Sequence, residues 1–250
     1  MAARKIKREG RISTLIVVPT YNEAGNLETV YKKIFKSVPG ADLLVVDDGS
    51  PDGTGDLADR LAHTDRRVRV LHRSGKLGLG SAYVAGMKLA LELGYDRVVA
   101  MDADLSHDPR NIPRMLVLSR SYDLVIGSRY VPDGGMANWG VFRLGISKSA
   151  NFFLKTLLGV DQLDCTGGFK CYRAELLKKI GLDRIFSPGY SFQVEILFRA
   201  LRAKARVVEI PILFVNRHKG ESKLNLREVS GFFWTVLRLR VQAWRDRVLS

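Results

Sequence analysis

Apolar positions follow two alternating rhythms along the first half of the chain. Short runs at 15–18, 43–46, 68–71, 98–101 and 124–126 read as strands buried on both faces. Between them, apolar residues recur at helical spacing over 26–36, 55–62, 80–93 and 112–119. Strands and helices alternating at this interval predict an α/β fold: a doubly wound, mostly parallel sheet with helices on both faces. The pattern loosens after residue 130. Helical spacing returns over 139–158 and 190–203, 207–210 predicts a strand, and 164–170 reads as a glycine-broken turn. From Asn225 a second amphipathic helical pattern begins. No repeat or linker is visible, so the reading is a basic tail (1–11), one catalytic body (12–224) and a C-terminal helix (225–250).

Composition narrows the classes. The 250 residues are 46% apolar and 9% aromatic, enough for a sizeable core and unlike a disordered chain. Two cysteines exclude a disulfide scaffold, and Cys165 and Cys171 are expected as reduced, buried thiols. Apolar runs such as 15–19 and 232–237 fall far short of the roughly 18 residues of a membrane span. No apolar segment follows the basic start, so the cytosol is the expected compartment. The net charge of +14 is uneven. Residues 1–11 carry five basic residues and one acid, and residues 199–250 carry twelve basic and four acidic. Cationic ends on a nearly neutral body suggest a polyanionic partner: nucleic acid, an anionic bilayer or a phosphorylated substrate.

In open parallel sheets ligands bind beyond the carboxyl ends of the strands. The residues there are 19–23 (PTYNE), 47–54 (DDGSPDGT), Asp102-Ala103-Asp104, and 127–130 (GSRY). Two carboxylates separated by one small residue need cations or hydrogen-bond donors, and a hard divalent ion holding a diphosphate would satisfy them. Turn formation by Asp explains the triplet equally well on its own, and the Asp47–Ser50 stretch likewise. Gly75, Gly78 and Gly80 follow no phosphate-cradle order and read as loop freedom before a helix. His107 is expected as a surface-turn residue, and His63, His72 and His218 form no cluster.

Taken together and in order, PTYNE, VVDDGSPDGT, MDADLSHDP, GSRY, the 139–151 segment, LDCTGGFKCYR and the 216–223 segment resemble the polyprenol-phosphate (dolichol-phosphate) mannose synthases of glycosyltransferase family 2. The resemblance spans residues 12–226. It implies a GT-A glycosyltransferase fold and an inverting transfer of mannose from GDP-mannose to a polyprenyl phosphate, with Mg²⁺ or Mn²⁺. Pro19, Tyr21, Glu23, Val46 and Asp48 match nucleoside-binding positions. Asp102, Ala103 and Asp104 match the donor and metal triplet, Asp104 foremost as metal ligand. Arg129 matches a phosphate-binding position beside the reacting centre and, with Asp104, is the expected catalytic pair. Arg217 and Lys223 match basic positions on a loop over the donor, while Arg143 and Ser147, with Arg129, match residues that hold the acceptor's phosphate. Family members often carry Gln two residues beyond the second Asp. Here Ser106 stands there, so Asp102 and Ser106 are the further candidate metal ligands.

An acceptor phosphate is already anionic at neutral pH and needs no strong base. It needs positive charge that unites two anions, which arginine forks provide without losing their proton. Two alternatives remain at this stage: a polyprenyl-phosphate glucosyltransferase using UDP-glucose, and a non-catalytic nucleotide- or nucleic-acid-binding module. An acidic sheet edge would repel a nucleic-acid backbone, and no aromatic platform is interleaved with the basic residues, so no nucleic-acid partner is expected. In the C-terminal helix, Arg227, Arg238 and Arg245 share one side at 100° per residue. Val229, Phe232, Phe233, Val236, Leu237, Trp244 and Val248 occupy the broad opposite arc, broken by Arg240 and Arg247. This predicts an interfacial helix on an anionic membrane, or docking on the body, or each over different turns. A peripheral protein on the cytoplasmic face, alone or with a membrane-anchoring partner, is the resulting expectation.

Overall fold

The computed structural model describes residues 12–138, 141–215 and 226–248, without the side chains of 141–143, 146, 226–230 and 246–248. The basic tail, Trp139, Arg217, His218 and Lys223, and the side chains of Arg143, Arg227, Val229, Arg247 and Val248, therefore lie outside the described residues.

The expected alternation is present: β1 (Thr14–Thr20), α1 (Ala24–Ser37), β2 (Asp42–Asp47), α2 (Thr54–Thr64), β3 (Val68–His72), α3 (Leu79–Glu92), β4 (Arg97–Ala100), α4 (Ile112–Leu118) and β5 (Leu124–Ser128). There follow β6 (Gly135–Ala137), α5 (Val141–Leu158), β7 (Lys170–Arg173), α6 (Ala174–Ile180), α7 (Ser191–Arg202), β8 (Val207–Pro211), β9 (Leu213–Val215) and α8 (Leu226–Val248). The main sheet runs β3-β2-β1-β4-β7-β5-β8. All neighbours are parallel except β7, which is antiparallel to β4 and β5. A small parallel pair, β6 and β9, stands apart from it.

Alternation along each strand feeds two cores. Leu15, Val17, Leu44 and Val46 pack beneath α3, α6 and α7, while Ile16, Val18, Leu43 and Val45 pack beneath α1, α2 and α4. Gly86 lets α3 lie close on β1, because a Cβ there would come within 2.4 Å of Val17 Cγ1. Two expectations are corrected. The run at 68–71 is not buried on both faces, since β3 is a sheet edge and Val68 alone in it is buried. Residues 170–173 form a strand where only a turn ending at Lys170 was expected.

The apolar arc of α8 is divided. Val236, Leu239 and Ala243 are buried against the body, and Arg238 lies over the Phe186 ring at 3.9 Å. Phe233, Trp234, Leu237, Val241 and Trp244 are exposed. At 100° per residue these five fall within an arc of roughly 100°, beside the docked face.

Candidate active site

The order of strands reverses between β1 and β4, and the sheet's carboxyl edge there gathers the predicted residues. The first two loops are tied together. Asn22 N donates to Ser50 Oγ (3.0 Å), Glu23 N to Thr54 Oγ1 (2.9 Å) and Ala24 N to Asp52 Oδ2 (3.1 Å). Asp47 is buried and closes its own turn, accepting from Thr20 Oγ1 (2.9 Å), Ser50 Oγ (2.6 Å) and Ser50 N (3.0 Å). Asp48 accepts from Arg73 Nη1 at 2.6 Å and from the amides of Leu77 and Gly78 at 3.1 Å each. It thereby anchors the loop that leads into α3. Tyr21 is exposed at the rim, with Lys76 Nζ 4.3 Å from its ring centre. Glu23 is half-buried and accepts from Asn26 Nδ2.

Pro19 and Val46 are register partners in β1 and β2, and both are buried. Their side chains support, from within the sheet, the strand ends that carry the site. Both strands are interior and carry a helical layer above them.

Beyond β4 the chain turns just after the acidic triplet at Leu105, whose φ of 63° is left-handed. Asp104 Oδ1 accepts from Ser106 N (3.1 Å) and Ser106 Oγ (2.5 Å). Ser106 is buried and donates its hydroxyl hydrogen to Asp104, which stiffens that candidate ligand. Asp102 Oδ1 accepts from Tyr83 Oη at 2.7 Å, and burial, then the Asp102 charge, raises the tyrosine's pKa well above its ordinary value. Tyr83 remains a neutral donor. Ala103 is buried between the two acids.

His107 is no surface-turn residue: it is 2% exposed, stacked on Phe169 at 5.0 Å and edge-on to Phe214 at 5.5 Å. Its Nδ1 accepts from Asp102 N at 3.2 Å. That requires a neutral ring protonated at Nε2, and burial lowers its pKa against the pull of Asp102 and Asp104. The rings that cover it come from β9 and from the turn before β7, which no local pattern reveals.

Arg129, at the end of β5, is held as firmly. Its Nε and Nη2 reach Asp164 Oδ2 and Oδ1 at 2.7 and 2.6 Å, its backbone N donates to Oδ2 at 3.0 Å, and Nη2 also donates to Thr166 Oγ1. Asp164 is fully buried. Burial alone would raise its carboxyl pKa, but Arg129 outweighs that and holds it below the usual range. The Arg129 guanidinium lies 5.4 Å from the Tyr130 ring centre and 5.6 Å from that of Phe214. Tyr130 Oη donates to Ser147 Oγ on α5 at 2.6 Å, which links Ser147 to the residue next to Arg129. Val215 N donates to Ser106 O at 3.3 Å, fixing the end of β9 beside the acidic turn.

Tyr83, Asp164, Lys170 and Gln193 are site residues that the sequence did not single out. Lys170 is fully buried and donates to Gln193 O and Oε1 at 3.0 and 2.9 Å. Cys165 and Cys171 are buried free thiols, as expected.

Residues 15–181 match the family described as glycosyl transferase family 2. Over 211 residues the chain is 50% identical to the undecaprenyl-phosphate mannosyltransferase of Micrococcus luteus, covering 84% of this chain and 87% of that one. Over 236 residues it is 48% identical to the polyprenol monophosphomannose synthase of Mycolicibacterium smegmatis, covering 94% and 89%. Among solved structures, glucosyl-3-phosphoglycerate synthase from Mycobacterium tuberculosis with Mn²⁺, UDP-glucose and phosphoglyceric acid superposes with a TM-score of 0.68 at 24% identity, covering 92% of this chain and 80% of that one. At that identity the likeness is one of fold.

Proposed function

The chain belongs to glycosyl transferase family 2, and on that footing we propose that it moves mannose from GDP-mannose to a polyprenyl phosphate, inverting the anomeric carbon. One observation carries the reading. A two-carboxylate turn at the sheet's switch point lies beside a buried, ion-paired arginine, in a chain 48–50% identical to two enzymes named for mannose transfer to a polyprenol phosphate.

Asp102 and Asp104 would hold Mg²⁺ or Mn²⁺, leaving the rest of its shell to diphosphate oxygens and water. Among the described residues no group of three or more acids, histidines or cysteines gathers to hold a metal, which suits an ion shared with a substrate rather than one caged by the protein. When bound, the ion supplies positive charge to the departing diphosphate. Tyr21, Glu23 and Asp48 line the nucleoside end. An acceptor phosphate oxygen attacks the anomeric carbon, the new C–O bond forms as the bond to diphosphate breaks, and GDP departs. Attack opposite the leaving group inverts the centre.

No side chain need remove a proton, because the nucleophile is already an anion. Arg129, its fork fixed by Asp164, offers charge to the reacting phosphates, with Tyr130 and Ser147 alongside. Arg143 is assigned to the acceptor, and Arg217 and Lys223 to the donor diphosphate.

The lipid acceptor places the enzyme on the cytoplasmic membrane face. No helix among the described residues is long and apolar enough to cross a membrane. The exposed stripe of α8, with Trp234 65% and Trp244 64% exposed, is flanked by Arg240 on one side and Arg238 and Arg245 on the other. Aromatic rings between guanidinium groups suit the boundary of an anionic bilayer. The deciding experiment offers GDP-mannose, UDP-glucose and other nucleotide sugars with a short polyprenyl phosphate, with and without divalent metal, and reads products by mass spectrometry. Metal-dependent mannosyl transfer is expected. Absence of transfer from every donor, or preferential use of UDP-glucose, refutes the proposal.

A further inference from the structure

α5 is tied to the surroundings of Arg129 at two successive turns. Ser147 Oγ accepts from Tyr130 Oη at 2.6 Å, and one turn later Asn151 reaches the loop that holds the arginine. Asn151 is buried. Its Oδ1 accepts from Cys165 N at 2.9 Å, and its Nδ2 donates to Ser147 O at 3.0 Å. A main-chain N–H only donates, so the Cys165 amide selects the side-chain oxygen and turns Nδ2 back along the helix. Both ends of the side-chain amide are thereby used.

These bonds close a ring. From Asn151 it passes to Cys165, to Asp164, across the ion pair to Arg129, to Tyr130, to Ser147 and back to Asn151. The same loop is pinned separately by Glu209 of β8, whose carboxylate accepts from Leu163 N at 2.8 Å and from Asp164 N at 2.9 Å. Glu209 thus fixes the loop to the sheet, and Asn151 fixes α5 to the loop. The ladder of the main sheet does not set where α5 lies. The helix belongs to another layer, and between β5 and α5 the described residues form only the three-residue β6. The Tyr130–Ser147 contact joins two hydroxyls, whose hydrogens turn to suit. The planar, buried amide is the stiffer brace.

We infer that Asn151 is a positioning residue: by tying α5 to the Asp164 loop it sets the span between the Arg129 guanidinium and the Ser147 hydroxyl, the two groups assigned to the acceptor's phosphate. This rests on the phosphate-acceptor reading above and adds to it a residue that need touch neither substrate. Leucine has the same branched shape as asparagine but offers no acceptor. It would leave the main-chain amide of Cys165 unpaired at a residue only 1% exposed, and a buried donor without a partner is costly. The loop would shift toward another acceptor, and Asp164 would carry the arginine fork with it. Asp48, Asp102 and Asp104, on the donor side, lie outside the ring and keep their own anchors.

The test measures initial rates with GDP-mannose and a short polyprenyl phosphate for wild type, Asn151→Leu and Asn151→Ala, with GDP binding by calorimetry and unfolding by circular dichroism. Alanine leaves room for a water to pair the Cys165 amide, so it serves if the leucine variant folds poorly. Leu154→Ala is the control, since it opens a cavity at a fully buried position of the same helix. Each Asn151 variant should raise the KM for the polyprenyl phosphate about tenfold, with the KM for GDP-mannose and the GDP affinity within about twofold of wild type. Leu154→Ala should lower the melting temperature at least as far, yet leave the acceptor KM within about twofold. Added to Arg129→Lys, Asn151→Leu should raise the acceptor KM by less than about twofold more, as befits a residue acting through the arginine. A wild type that transfers no mannose to the polyprenyl phosphate overturns the underlying reading. An active wild type whose Asn151 variants leave the acceptor KM unchanged, raise both KM values alike, or add in full to Arg129→Lys overturns the inference alone. So does a Leu154→Ala variant that raises the acceptor KM as much.

Discussion

Lys170→Met should alter how stability depends on pH more distinctively than it alters stability at any one pH. The ammonium is fully buried, and burial draws its pKa from 10.5 down to about 8, against the opposing pull of Asp164. In the unfolded chain the group titrates near its ordinary value. Between those limits the unfolded state still binds a proton that the folded state has released, so this residue makes stability rise with pH across the window. The whole gap corresponds to about 3 kcal/mol, of which about 2 kcal/mol falls between pH 7 and 9.5. Cys165 and Cys171 act in the opposite sense. Burial pushes both thiols up to about 12, so above their ordinary value the unfolded chain loses protons that the fold retains, and stability falls.

Methionine keeps the chain length without the charge. It leaves the two Gln193 oxygens without their donor, an offset that does not vary with pH. Subtracting the two proteins at each pH therefore cancels the thiols and leaves the lysine's slope. Urea unfolding followed by circular dichroism in steps from pH 7 to 9.5 should show wild type gaining about 2 kcal/mol on the variant. Parallel curves, with a difference constant to within about 0.5 kcal/mol, would show that Lys170 holds its proton equally in both states and refute the reasoning.

Three further outcomes follow from the site and from α8. Asp164→Asn strands the buried Arg129 and should cost about 3–5 kcal/mol, lowering the melting temperature by about 10 °C for a chain of this size; a calorimetric shift below about 2 °C contradicts this. Asp104→Asn should keep the native circular dichroism yet lower turnover at least about 100-fold, and full turnover at saturating Mg²⁺ or Mn²⁺ would exclude it as a ligand. Replacing Trp234 and Leu237 together by glutamate should weaken sedimentation with phosphatidylglycerol vesicles about tenfold, and wild-type binding should fall with salt; unchanged binding would leave the stripe without a membrane role.

Interior strands were legible because burial on both faces leaves a continuous apolar run, as in β1, β2 and β4. At the edge that signal misleads: the 68–71 run alternates Val68 and Val70 with Arg69, and only one of them is buried. The acidic turn and Arg129 were legible because charge at a strand end is costly wherever it is placed. Their partners were not. Asp164 sits in a glycine-rich stretch that any turn would explain, and its role depends on meeting a residue 35 positions away. His107 shows the same limit, since Phe169 and Phe214 bury it from distant parts of the chain. On α8 a helical wheel finds apolar positions but not which of them the body already covers, so Val236 and Leu237 looked alike although one is buried and the other exposed.

The direction of β7 explains how so many unpredicted partners reach one place. In a parallel sheet each strand delivers the residues that follow it to the ligand edge. A reversed strand delivers the residues that precede it. Lys170, the first residue of β7, pairs with Ala100 near the end of β4 and with Ile126 in β5. Residues 164–169 therefore arrive beside 101–106 and 127–130, where Asp164 meets Arg129, Gly168 faces Asp102, and Phe169 covers His107. Had β7 run parallel to its neighbours, the same six residues would emerge at the opposite edge, about 13 Å away for a four-residue strand. Arg129 would then lack the Asp164 carboxylate, and a buried guanidinium left without its partner is unfavourable. One antiparallel strand of four residues, weakly marked in sequence, is thus what allows the charged groups of this edge to coexist.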